Sequence, residues 1–139
     1  MFYGYFQIKN YIMCLVTTQL EPKIADEDIV CYKLVKRTKI EGVYKSSFQR
    51  FEYVIRQLYT NNIDIEFIDK FIYYRNCVWY FIEEGMFHSY ANYSHAALNH
   101  APDEFIVKCI IPKGAYYFEG IFDDSPSYAS SQIKILEEI

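Results

Sequence analysis

The chain has 139 residues, 52% of them hydrophobic and 23% charged, with a net charge of −4. These values describe one globular domain able to bury roughly two thirds of its unfolded surface, and they exclude a disordered chain. Acidic residues fall in short dispersed clusters, and the one basic run, Lys33 to Lys39, is too small an electrostatic footprint for duplex nucleic acid.

The chain reads as a single domain, with no linker long enough for a second. The segment EPKIADED is a polar lead-in, and DIVCYKLVKRT, apolar on both alternating faces through Leu34, reads as a central strand. EGVYKSSFQ reads as a break. RFEYVIRQLYT alternates, with Phe51, Tyr53 and Ile55 opposite Glu52 and Arg56, which favours a half-exposed strand. Residues 67–85, dense in β-branched and aromatic side chains, read as two strands broken at Arg75-Asn76. ANYSHAALNHAPDE is the clear helix candidate, with Asn92 or Ser94 as its cap and Pro102 as its stop. EFIVKCIIPKG is a buried strand closed by a turn, AYYFEGIF continues extended, DDSPS is a loop, and YASSQIKILEEI supplies the last strand. The expected class is α+β: a mostly antiparallel sheet of five to seven strands with one or two short helices.

The aromatic share is high, 19% with 15 Tyr. Tyrosine joins an apolar body to a polar tip and suits half-buried strands, ligand pockets and interfaces. The four cysteines, at 14, 31, 77 and 109, form no CxxC, and Cys31 and Cys109 sit in apolar runs. They are expected to be buried free thiols in a reducing compartment. No apolar run approaches the about 20 residues of a membrane span, and the N-terminus has no basic leader or small-residue cleavage site. A soluble cytoplasmic protein is expected, without membrane attachment.

All three histidines, His88, His95 and His100, lie within GMFHSYANYSHAALNH. A helical zinc pair needs a spacing of four so that both rings share one face; His95 and His100, five apart, diverge by about 140°. No metal site is expected. Ser89 adjoins His88, but neighbours on a strand point to opposite faces and form no dyad. Glycine-rich phosphate loops and a GxSxG elbow are absent from the sequence. Lys113, beside the Pro-Lys-Gly turn, is a candidate contact for an anionic group, and His88 caps a backbone carbonyl or contacts a ligand at the exit of its strand. The remaining histidines read as helix-surface residues.

Four motifs carry a resemblance: MCLVTTQLEPKIADEDIVCYKLV, EEGMFHSY, FIVKCIIPKG and YASSQIKI, spread over both ends and the middle of the chain. From Met13 onward the chain resembles an uncharacterised family of small proteins from gut bacteria and their phages. That resemblance implies a start at Met13, with residues 1–12 an N-terminal extension and 13–139 a single domain, and a context of phage–host conflict; the family has no assigned activity. A weaker, fold-level similarity links the order VCYK, FHSY, YASSQI to ADP-ribosyltransferase-like domains. There, Lys33 stands in the basic position and Ser89 in the middle motif, while Ser130, Ser131 or Gln132 falls where that fold requires a catalytic Glu. Without a carboxylate to activate the attacking group, the similarity implies binding more than turnover.

The expected function is a non-catalytic phage-type binding protein that sequesters a small nucleotide-derived ligand or host immune signal. The alternatives are an interaction module that blocks a host protein and an ADP-ribosyltransferase-like enzyme. The expected ligand-binding residues are Lys33, His88, Ser89 and Tyr90, with Lys113, Tyr117 and Gln132. No cofactor is implied, and homo-oligomerisation is expected to cover some of the aromatic surface.

Overall fold

The structure, a computed structural model, describes residues 15–19, 21–47, 51–61 and 86–139. Its strands are β1 (Lys23–Ile24), β2 (Ile29–Arg37), β3 (Val43–Ser46), β4 (Glu52–Val54), β5 (Leu58–Thr60), β6 (Phe87–Tyr90), β7 (Phe105–Ile111), β8 (Tyr116–Phe122), β9 (Ser125–Ser130) and β10 (Gln132–Glu138). One six-residue helix, α1 (Tyr93–Leu98), joins β6 to β7.

All ten strands belong to one antiparallel sheet with the order β1-β8-β9-β6-β2-β7-β10-β5, from which β3 and β4 branch at β2. Strand makes up 55% of the described residues and helix 6%, so the expected α+β class with five to seven strands is corrected to a nearly all-antiparallel sheet of ten. The difference lies in short strands whose ends carry no conspicuous turn composition. Arg56, with φ 68°, breaks the single strand expected over 50–60 into β4 and β5. The DDSPS loop is instead a tight hairpin turn, Asp123 and Asp124 both left-handed at φ 53° and 62°, with Ser125 already in β9. Two left-handed residues match the twist of the flanking strands, and Asp tolerates that conformation better than most residues. Val43–Ser46, taken for a break, is β3, and Ser131 separates β9 from β10 within the expected last strand. The expected strands over 67–85 and the extension over 1–12 lie outside the described residues.

β2 organises the molecule. Along one edge it pairs with β7 over seven residue pairs, from Ile29↔Ile111 to Val35↔Phe105. Its other edge changes partner: Tyr32 meets Tyr90 of β6, while Val35, Lys36 and Arg37 meet β3. The sheet therefore forks beside Lys33. One arm runs β2–β3–β4 and the other β2–β7–β10–β5, and they meet at the β4–β5 turn. There the Arg56 N–H donates to the Ile135 carbonyl at 2.7 Å and the Val54 N–H to the Tyr59 hydroxyl at 2.7 Å. The two arms wrap one packed core, the cup face.

Strand alternation gives β2 two faces with different cores. On the helix face, Leu34, Tyr90, Ile106, Phe118, Phe122 and Ala129 pack with Ala96 of α1 and with Leu15. Asn92 caps α1, its side chain accepting from the His95 N–H at 3.0 Å. The Val16 segment crosses β8 so closely that a Cβ on Gly120 would stand 2.3 Å from the Val16 carbonyl oxygen, which explains glycine there. On the cup face, Cys31, Val35, Tyr53, Phe87, Val107, Cys109, Ile133 and Ile135 form the second core.

Candidate functional site

The cup floor is built from alternate residues of β2, β6 and β7. Cys31 and Cys109 are direct partners across β2–β7, and Lys33 follows Cys31 on the same face. Lys33 is 4% exposed. Its ammonium donates to the His88 backbone carbonyl where β6 parts from β2, and it lies 5.3 Å from the centroid of the Tyr53 ring. The fork explains this placement: β6 shares a single ladder pair with β2, and the lysine reaches across the opening.

A buried ammonium needs a counter-charge or a strong acceptor set, because removal from water costs several kcal/mol. Among the described residues no carboxylate forms an ion pair with Lys33. Burial therefore drives its pKa down, opposed in part by the adjacent Cys109 and Cys31 thiols. Burial raises the Cys109 thiol well above its ordinary value, reinforced by Cys31. For Cys31 burial also pushes upward, but contacts with Cys109 and Ser89 and the Lys33 charge outweigh it and lower its pKa. The Ser89 hydroxyl, fully buried beside Cys31, and the Tyr53 hydroxyl have no ordinary hydrogen-bond partner among the described residues. Phe51, Tyr53, Tyr59 and Phe87 line the cup wall in mutual edge-to-face contact, with ring centroids 4.8–6.1 Å apart.

Of the residues expected to bind a ligand, Lys33 and Ser89 come together on the cup face. His88 and Tyr90 point to the helix face. The His88 ring lies 4.1 Å from the Phe122 centroid and 4.8 Å from that of Tyr90. Burial, then the Lys33 charge, lowers the His88 pKa well below 6.5, so the ring is neutral within that core. Tyr117 stands half-buried on β8, edge-on to Tyr128 at 5.9 Å. Lys113 is exposed in the β7–β8 turn, where its backbone N–H donates to Asp28 at 2.9 Å. Gln132 opens β10 half-buried, and its carbonyl accepts from the Ser130 hydroxyl at 3.0 Å. Ser130 and Ser131 are buried, and the Ser131 hydroxyl accepts from the Tyr116 N–H at 3.0 Å. His95 is held by Asn92 at 2.6 Å and His100 by the Glu104 carbonyl at 2.7 Å.

Sequence reasoning did not assign Tyr53, Cys31 and Cys109 to the site. The available signal was the alternation that puts Cys31, Lys33 and Val35 on one face of β2: a lysine within an otherwise apolar stripe. Among the described residues no three His, Cys, Asp or Glu side chains gather to hold a metal ion, and no helix is long and apolar enough to cross a membrane. Comparison with known proteins gives no match to a family model, a curated protein or a solved structure.

Proposed function

We propose that the chain is a non-catalytic binding protein whose cup takes a small anionic ligand with a planar aromatic portion, of which a nucleotide is the simplest example. The observation that carries this reading is the interior ammonium of Lys33, set beside Ser89 and below the Tyr53 phenol with no carboxylate paired to it among the described residues. An incoming anion supplies a counter-charge that no described carboxylate gives, and charge-assisted hydrogen bonds are about twice as strong as neutral ones. Of the wall rings, the half-buried Phe51 and Tyr59 are the ones left to meet a base.

Binding is favoured over turnover because, among the described residues, no carboxylate or imidazole stands in the cluster as a general base. The imidazole of His88, the nearest histidine in sequence, faces the opposite core. The phage–host context implied by the sequence resemblance suits a protein that sequesters such a ligand. Among the described residues the most exposed apolar side chains, Leu98, Ile40 and Ile24, sit on a helix end, a hairpin and an edge strand. Such scattered exposure does not favour a single host-protein docking patch.

Calorimetry and thermal shift against nucleoside mono- and diphosphates and cyclic nucleotides test the proposal. Binding that disappears in Lys33→Met and persists in Lys113→Ala supports it. No heat and no shift across the panel overturns it.

A further inference from the structure

We infer that Cys31 and Cys109 form an oxidative modification site, closing to an intramolecular disulfide across β2 and β7 when the folded protein meets a peroxide. The site follows from strand register and is independent of the ligand reading. The two cysteines are direct partners in the longest ladder of the sheet, on its cup face, and both are free thiols. Opposed residues on antiparallel strands hold their Cβ atoms about 4.5–5.5 Å apart. A disulfide needs about 3.5–4.5 Å, so a small approach of the strands suffices. Neither side chain has to change face.

The chemistry balances with a peroxide as oxidant. Cys31 Sγ, as thiolate, attacks one peroxide oxygen; the O–O bond breaks, hydroxide leaves, and Cys31 becomes a sulfenic acid. Cys109 Sγ then attacks that sulfur, the S–S bond forms, and the expelled hydroxide leaves as water with the Cys109 proton. Two thiols and one hydrogen peroxide become one disulfide and two waters. Lys33 stands beside both thiols and favours a thiolate there, and the contact with Ser89 adds to this at Cys31. Both thiols are fully buried, so the oxidant must be small, and the partner thiol intercepts the sulfenic acid before a second oxidant arrives.

The test is peroxide treatment of the full-length folded chain, followed by alkylation, trypsin digestion and mass spectrometry without reduction. The expected product joins peptide 24–33 to peptide 109–113, two hydrogens lighter than the separate pair, and dominates over linkages to Cys14 or Cys77. The same link is expected in Cys14→Ser/Cys77→Ser and absent in Cys109→Ser, where a Cys31 sulfenic acid is trapped by dimedone. A link that forms only after unfolding in urea overturns the inference. So does folded wild-type protein in which Cys31 and Cys109 stay unlinked under peroxide.

Discussion

The two faces of β2 carry the same kind of aromatic packing around opposite kinds of polar residue. On the helix face, His88 is enclosed by Tyr90 and Phe122 and is neutral, a titratable group absorbed into a core. On the cup face, Lys33 is equally buried, but its carrier strand forks beside it and its amine is held by one backbone carbonyl and an aromatic ring. A histidine becomes uncharged within reach of neutral pH at small cost. Without a counter-charge, a lysine there keeps a standing cost. The two buried polar residues differ in how they are satisfied: one is a neutral ring among rings, the other an amine that no described carboxylate pairs.

Removing packing from the helix face should have the largest effect. Phe122→Ala is expected to cost about 3–5 kcal/mol in urea denaturation, as for large aromatic truncations in fully buried sites, and to leave ligand affinity of the folded fraction unchanged. Loss of binding in the folded fraction would mean the two faces are not separable.

Lys33→Met should act in the opposite direction. Replacing a buried amine that no described carboxylate pairs by an apolar chain of similar length is expected to stabilise the protein by about 1–3 kcal/mol while removing ligand binding. A destabilised variant would show that the lysine is satisfied in the free protein.

Acid titration sharpens the contrast further. The folded-state pKa of His88 is depressed, so between that value and about 6.5 the unfolded chain holds a proton that the folded chain does not. The contribution is therefore complete above about pH 6.5 and falls as pH drops below it, by up to about 1.4 kcal/mol per unit. His88→Leu should flatten that limb of the stability–pH curve; an unchanged slope would place the protonation elsewhere. The smallest effect is expected at the helix start. Asn92→Ala removes the cap on α1 and should cost about 1 kcal/mol with no change at Lys33.

Parts of this arrangement were legible in the chain. DIVCYKLV reads as a central strand because it is apolar on both faces, and β2 is the strand on which the sheet turns. Asn92 reads as a cap because its side chain can reach the N–H three residues on, and it does. The strand count was not legible. β4 and β5 have three residues each and are separated by an arginine in the left-handed region, and no composition rule marks Arg56 as a turn. The site was half legible. Lys33 and Ser89 stand on one face through alternation, which also sends His88 and Tyr90 to the other. Tyr53, Cys109 and the fork depend on which strands pair, and pairing across 50 or more residues leaves no local signature.

The most direct test of the central claim is an NMR titration of the Lys33 Cε and Hε resonances, assigned by comparison with Lys33→Met. The fork predicts that Lys33 titrates below the ordinary lysine value of 10.5 in the free protein, because burial without a counter-charge disfavours the ammonium. It predicts an upward shift when a binding anion saturates the cup. A Lys33 that titrates at or above 10.5 in the free protein would contradict the account, since the amine would already have its counter-charge.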